Sequence, residues 1–276
     1  MDNRIKTFLF LAILTAIVLF IGSLFGKNGL VLAAIIVVAM NLISYFFSDR
    51  IVLAMYRAKP ASKKDYSRLH SIVEELANKA KIPKPKIYII PTKMENAFAT
   101  GRNPENGVVA VTEGIMKSLD EKELRGVLAH ELNHIKHRDI LIATIASVFA
   151  GIIMFLANMA RFAVIFGGGN DENRGNIIGL ILIGILAPIA ALLIQMAISR
   201  SREYMADEDA AKLIKNGEPL ASALLKLEKG PKVRSGAETT AHLFIVNPLS
   251  TKGIAGLFST HPPVDERVKR LRALKF

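Results

Sequence analysis

Four stretches of nearly uncharged residues constrain the fold of this chain more than any other feature. Each is about 20 residues long, the length at which an α-helix crosses the roughly 30 Å hydrocarbon core of a bilayer. Because 51% of the chain is hydrophobic, too little amphipathic sequence remains to cover four such helices inside a soluble core. We therefore predict four transmembrane helices, at residues 7–25, 30–47, 140–160 and 177–198.

These helices divide the chain into four parts. We expect residues 1–49 to form a transmembrane hairpin, 50–139 a first segment outside the membrane, 140–199 a second pair of transmembrane helices and 200–276 a second segment outside the membrane. The first apolar stretch resembles a signal peptide, but it lacks a small-x-small cleavage pattern and a second apolar stretch follows at once. We expect it to be retained as a membrane anchor.

The distribution of basic residues predicts the topology. Of the 36 Lys and Arg residues, 17 lie in 49–139 and 14 in 199–276. By the positive-inside rule, both segments and both termini are cytoplasmic, which predicts a multi-pass protein of the cytoplasmic (inner) membrane. The net charge of +12 does not indicate nucleic-acid binding, because acidic residues are interspersed and no binding motif is present. Attraction to anionic lipid headgroups of the bilayer explains the charge.

The segment after the hairpin has an α+β pattern. Residues 61–82 predict an amphipathic helix, and 86–90, 95–100 and 107–112 predict three short strands. Three short strands need a helix to pack on, and the next helix carries His130. The predicted fold is therefore a mainly α membrane protein with a cytoplasmic α+β domain that contains a small three-stranded sheet.

The motif His130-Glu131-Leu132-Asn133-His134 predicts a hydrolytic zinc site. Two histidines four residues apart lie on one face of a helix, so both can offer a ring nitrogen to one ion. Glu131 can act as general base on a zinc-activated water that attacks a peptide carbonyl. Asp120 and Glu123 predict a capping box at the start of this helix. Its pattern continues through Asp139, so we expect it to run into the third span.

Catalytic zinc needs a third protein ligand. His137 shares the helical face but lies about 10 Å from His130 along a straight helix, so we exclude it as a ligand. Glu203 matches the depth of the motif on the antiparallel span, which favours it as the third ligand. Asp207 shares its face and could accept the outer N–H of a ligating histidine. The alternative for both acids is a solvated helix face.

Two further features remain open on the residues alone. His261 is followed by two prolines, and it could donate to a developing oxyanion together with Arg267, although a lone histidine near a helix start is more often structural. The strand at 96–100 could hold a peptide as an added strand or could be a core strand.

The assembled motifs resemble those of HtpX-type membrane zinc proteases, which are related to the CAAX prenyl endopeptidases. The resemblance covers nearly the whole chain. It is carried by the apolar hairpin, the paired spans and four motifs: Asn96-Ala97-Phe98-Ala99-Thr100-Gly101, His130-Glu131-Leu132-Asn133-His134, Ser201-Arg202-Glu203-Tyr204-Met205-Ala206-Asp207 and Thr260-His261-Pro262-Pro263.

The resemblance implies a zincin-like domain with one Zn²⁺ per chain. It implies that His130, His134 and Glu203 bind the ion, that Glu131 is the general base and that Asp207 supports the site. It further implies that His261 and Arg267 act at the oxyanion and that a strand lies beside substrate, with Asn96, Ala97, Phe98 and Ala99 as its contact residues.

The resemblance also implies a role in membrane quality control, with unfolded or damaged membrane proteins as substrates. Two alternatives remain, a processing protease with one dedicated substrate and a membrane scaffold with a structural zinc. Glu131 weakens the scaffold hypothesis, because a structural zinc site does not need a general base. The sequence does not predict an oligomeric state.

Overall fold

The computed structural model describes residues 26–145, 200–230, 243–246 and 262–276, together with scattered residues between 8 and 23. In chain order the helices and strands are α1 (Gly26–Met55), β1 (Lys59–Pro60), α2 (Ser67–Ala80), β2 (Lys86–Ile90), β3 (Ala97–Thr100), β4 (Val108–Thr112), α3 (Glu113–Ser118), α4 (Glu121–Lys136), α5 (Arg200–Ile214), α6 (Glu218–Lys229) and α7 (Val264–Ala273).

Helix α1 contains the predicted span 30–47 and extends beyond it at both ends. Among the residues described, it is the one helix long and apolar enough to cross a membrane. Residues 26–29, which separate the predicted spans 7–25 and 30–47, already belong to this helix. Of the predicted span 140–160, only residues 140–145 are among the described residues; the predicted span 177–198 and most of 7–25 fall outside them.

Two arginines lie over aromatic rings near the end of α1. The guanidinium of Arg50 lies 5.4 Å from the ring centre of Phe47, and that of Arg102 lies 5.4 Å from the ring centre of Phe46. Both rings are about half exposed. Because Arg102 follows β3, this contact holds the end of β3 beside α1.

The sheet has four strands in the order β1-β2-β4-β3. Strands β2 and β4 are parallel, and β3 pairs antiparallel with β4 from Ala97 opposite Val111 to Thr100 opposite Val108. The three predicted strands are present, but the prediction of a three-stranded sheet is wrong. The fourth strand, β1, consists of two residues, one of them Pro60, and so short a strand leaves no alternating pattern to read.

Helices cover one face of the sheet, and the end of α1 covers the other. Ala97 and Ala99 of β3 face the larger core, which is built on α2, α4 and α6. Phe98 faces a smaller core with Val52 and Leu53 of α1. Strand β3 is therefore buried on both faces, and within the part of the chain that the structure describes no strand pairs with its outer edge.

The predicted capping box starts α4. The carboxylate of Asp120 accepts from the backbone N–H of Glu123, and the carboxylate of Glu123 accepts from the backbone N–H of Asp120, each at 2.9 Å. Lys226 and Ser222 of α6 also donate to Glu123, each at 2.7 Å. The same side chain thus begins the helix and fastens it to α6.

The other end of α4 contradicts our prediction of one continuous helix into the third span. The helix ends at Lys136, Arg138 has a φ of 61°, and helix resumes only at Ile140. The N–H of Asp139 donates to the carbonyl of His134 at 3.0 Å, and that of Arg138 to the carbonyl of Ile135 at 3.1 Å. This is the Schellman ending, which needs one left-handed residue and usually places glycine there.

Candidate metal centre

Three side chains from two helices meet where α4 packs against α5. His130 and His134 lie one turn apart on α4, and Glu203 lies in the first turn of α5, which packs against α4. One donor atom from each lies within 4.8 Å of the other two. The structure therefore brings together the three residues that we predicted as ligands.

The spacing of the donor atoms fits a zinc ion. The Nε2 atoms of His130 and His134 are 3.1 Å apart, and the Glu203 carboxylate oxygens lie 3.8 Å and 3.4 Å from these two nitrogens respectively. Donors at about 2.1 Å from one tetrahedral ion lie about 3.4 Å apart. Two imidazoles and one carboxylate are also the donor set of many catalytic zinc sites. The residues therefore suit zinc and leave a fourth position for water.

Asp207 has the supporting position that we predicted. Its Oδ1 lies 2.9 Å from Nδ1 of His130, on the side of the ring opposite the donor cluster. Arg267 donates to both Asp207 oxygens, from Nε at 2.8 Å and from Nη2 at 2.7 Å. Burial alone would raise the pKa of Asp207, but the Arg267 guanidinium lowers it below its ordinary value. Asp207 therefore stays ionised and can accept from His130.

Glu131 lies beside the cluster and is not one of the three donors. Its Oε2 accepts from the backbone N–H of Ala99 on β3 at 2.8 Å, and its side chain is buried. Burial raises the pKa of Glu131 to about 7. A carboxylate with such a pKa can both accept and return a proton near neutral pH.

His134 is surrounded by carboxylates. Burial alone would lower its pKa, but the charges of Glu203 and Asp139 raise it to about 9 in the metal-free protein. A ligating histidine must be neutral, so cation binding displaces this proton.

His137 is placed as we predicted, away from the donors. It lies at the end of α4, and its Nε2 is 3.0 Å from Oδ2 of Asp209.

The predicted substrate strand contacts the site through its backbone. Ala97, Phe98 and Ala99 are buried, and Ala99 reaches Glu131 by its N–H. The side chain of Asn96 makes two hydrogen bonds within the chain, and its contact with substrate stays a prediction. Its amide donates to the carbonyl of Leu243 at 3.3 Å and accepts from the N–H of Ile245 at 3.2 Å. The side chain of Asn96 therefore binds another segment of its own chain.

Arg267 also differs from expectation in its contacts. All three of its guanidinium nitrogens are engaged, two with Asp207 and the third, Nη1, with the carbonyl of Ile245 at 2.8 Å. These contacts place Arg267 behind Asp207, and its proposed action at an oxyanion stays a prediction. His261 lies outside the described residues, so its role stays a prediction too.

Sequence reasoning missed two residues beside the site. The Oδ2 atom of Asp139 lies 3.2 Å from Nδ1 of His134, and Nη1 of Arg202 donates to Oδ1 of Asp139 at 3.0 Å. The only available signal was their proximity in sequence to a ligand. The chain turns back at Arg138, and no glycine or proline at this position indicated the turn.

Comparison with known proteins identifies the family. The model of peptidase family M48 matches residues 63–275, which include every residue of the site. The chain belongs to peptidase family M48. A protease HtpX homolog of Syntrophobacter fumaroxidans is 51% identical over 282 residues, covering 99% of this chain and all of the relative. A protease HtpX homolog of Pyrococcus abyssi is 52% identical, covering 98% of this chain and 95% of the relative.

A solved structure shares the fold of this M48 chain. The crystal structure of S. mikatae Ste24p superposes with a TM-score of 0.52 at 18% identity. The match covers 93% of this chain and 61% of Ste24p. Together with the HtpX relatives, it identifies a membrane metalloprotease with a Ste24p-like fold.

We predict that Glu203→Ala loses bound metal. Removing one of three ligands leaves two imidazoles, which cannot hold zinc tightly. Metal analysis of the protein purified in detergent should find about one zinc per wild-type chain and almost none in the variant. Glu208→Ala on the exposed face of the same helix is the matched control and should keep its zinc. Full zinc occupancy in Glu203→Ala would assign the third ligand elsewhere.

Proposed function

We propose that this M48 protein is an integral-membrane zinc endopeptidase, which hydrolyses membrane and membrane-associated proteins at the cytoplasmic face. The observation that carries the proposal is the position of Glu131. Its carboxylate lies next to the cluster of His130, His134 and Glu203, and it is held by the backbone of the edge strand β3. A purely structural metal site has no use for such a carboxylate.

The chemistry follows from the residues around the cluster. His130, His134 and Glu203 would hold the zinc ion. When bound, zinc supplies a Lewis acid that lowers the pKa of water to about 7. Glu131 takes a proton from the attacking water and later donates it to the leaving amine. The N–H of Ala99 orients the carboxylate throughout.

Substrate binding is proposed to use the outer edge of β3. Because Ala99 points its N–H away from β4 and towards Glu131, Ala97, two residues earlier, presents its backbone groups to the same edge. An extended peptide can pair there as an added strand. Such pairing reads the backbone of the peptide, since Phe98 and the alanines have their side chains in the core.

Recognition through the backbone supports a role in quality control. A strand edge accepts any extended chain, which suits unfolded or damaged membrane proteins better than one dedicated substrate. The dedicated processing protease remains the alternative. It would require side-chain pockets, and the substrate strand itself offers none.

The cytoplasmic location rests on charge and on the end of α1. The basic segments 49–139 and 199–276 contain both halves of the site. We take the arginines over Phe46 and Phe47 to lie at the headgroup level, and β3 ends beside them. A substrate held along β3 would therefore lie close to the membrane surface.

We predict that Glu131→Gln abolishes proteolysis and retains zinc. The amide keeps the size of the side chain but cannot accept the proton, so turnover of casein should fall by about 10²–10⁴-fold. Metal analysis should still find one zinc per chain. Glu105→Gln, at an exposed acid away from the site, should retain wild-type activity. Undiminished casein cleavage by Glu131→Gln would remove the enzymatic assignment.

We predict that His261→Phe also keeps zinc but slows turnover. The loss of one donor to a developing oxyanion reduces turnover by about 100-fold or more. Measurement of kcat and zinc content on the same preparation separates this role from metal binding. Near-normal kcat would give His261 a structural role.

We predict that residue 64 is cytoplasmic and residue 171 is external. The chain has no cysteine, so Lys64→Cys and Asp171→Cys each carry a single reactive thiol. A membrane-impermeant maleimide should label Asp171→Cys in intact cells, and Lys64→Cys only after lysis. The reverse pattern would invert the topology and place the site outside.

A further inference from the structure

We propose that Asp139, held by Arg202, is a positioning residue for the zinc ligand His134, and that it sets the affinity of the site for the metal. The inference rests on the proposed function, because it takes His134 to be a zinc ligand. The resemblance assigns no role to Asp139 or to Arg202, although Arg202 lies in the motif that contains Glu203.

The end of α4 brings Asp139 to His134. A helix continued past Lys136 would carry residue 139 onward along its axis, away from the ring. The left-handed conformation of Arg138 instead turns the chain back, so that the N–H of Asp139 bonds to the carbonyl of His134. The carboxylate Oδ2 of Asp139 then lies 3.2 Å from Nδ1 of His134. The break in α4 therefore has a specific result at the metal site.

Arg202 holds the other oxygen of this carboxylate. Its Nη1 donates to Oδ1 of Asp139 at 3.0 Å. The Asp139 side chain is 8% exposed and that of Arg202 is 12% exposed, so water screens the pair weakly. Arg202 also precedes the ligand Glu203 in sequence. Together with the peptide bond between Arg202 and Glu203, these contacts form a closed set that runs from His134 through Asp139, Arg202 and Glu203 back to His134.

This closed set of contacts determines which nitrogen of His134 faces the donor cluster. When the Asp139 carboxylate accepts from Nδ1–H, the neutral ring carries its proton on Nδ1 and its lone pair on Nε2. The Nε2 atom is the one that faces His130 and Glu203. Asp139 thus selects the tautomer that can bind zinc, and Arg202 keeps the carboxylate oriented towards the ring.

The two histidine ligands are supported in the same way from opposite sides. His130 contacts Asp207, which binds Arg267, and His134 contacts Asp139, which binds Arg202. In each case an aspartate connects the outer ring nitrogen to an arginine. The resemblance to known proteases assigned the first chain of contacts in part, and the second is read from the structure alone.

The chain also contains a matched control pair. His137 and Asp209 make a contact of similar length, with Nε2 and Oδ2 at 3.0 Å, on the same two helices. Neither residue belongs to the donor cluster. A substitution of Asp209 therefore removes a histidine–aspartate pair between α4 and α5 and leaves the proposed ligand support intact.

The test compares the zinc affinity of Asp139→Ala, Asp139→Asn and Asp209→Asn, measured on the full chain in detergent by competition with a chromophoric chelator. Loss of such a supporting carboxylate weakens metal binding by about 10–100-fold. We expect this loss for Asp139→Ala, a smaller loss for Asp139→Asn, whose amide oxygen still accepts from Nδ1–H, and a change below twofold for Asp209→Asn. The absorption spectrum of bound Co²⁺ should shift in the Asp139 variants alone.

Arg202→Gln provides a second route if Asp139→Ala fails to fold, which size-exclusion chromatography and thermal melting of the metal-free protein will show. It should weaken zinc binding in the same direction, and the double variant with Asp139→Asn should lose less affinity than the two single losses combined. Wild-type zinc affinity and an unchanged Co²⁺ spectrum in both Asp139 variants would overturn the inference. Failure of the proposed function is distinguishable, because it would appear as zinc retained in Glu203→Ala or as activity retained in Glu131→Gln.

Discussion

Charged groups that leave water must be paired, and the centre of this protein is built around that requirement. Five acidic or basic residues there are at least 94% buried: Glu131, Asp139, Glu203, Asp207 and Arg267. Each has a polar partner supplied by a different part of the fold. Glu131 needs the N–H of Ala99 on β3, and Asp207 needs Arg267 on α7. The positions of β3 and α7 therefore depend on the buried charged groups that these two elements pair with.

Helix α4 is the element on which these parts meet. It contacts α2, β3, α5 and α6. Gly126 allows α6 to come close, because a Cβ at this position would lie 2.7 Å from the backbone nitrogen of Leu220. The glycine serves the packing of α6, which in turn binds Glu123 at the start of α4.

The sequence predicted most of the site because its chemistry has a strict spacing. Two histidines one turn apart and a capping box can be predicted directly from the order of the residues, and both are present. Glu203 lies beside the two histidines, as expected, although the expectation had a wrong premise. The depth comparison assumed a continuous helix, whereas α4 breaks at Arg138. The expected proximity still holds because the motif lies towards the C-terminal end of α4, and Glu203 lies in the first turn of α5, which packs against it.

The missed features have a common physical cause. A left-handed arginine, a two-residue strand and the binding of Asn96 to Leu243 and Ile245 depend on tertiary contacts, and none of them leaves a periodic pattern. The substrate strand shows the same limit. Its sequence allowed either a core strand or a substrate edge, and β3 is buried on both faces while its backbone reaches Glu131.

The contact between Asp207 and Arg267 has a consequence for the order in which the protein is made. Both histidines and the base precede Arg267 by more than 130 residues, so the ribosome synthesises them long before the guanidinium that neutralises Asp207. Until α7 packs against α6, a closed site would bury the Asp207 carboxylate without its partner, which is strongly unfavourable. The balance of charges therefore disfavours a closed site in a nascent chain that still lacks α7.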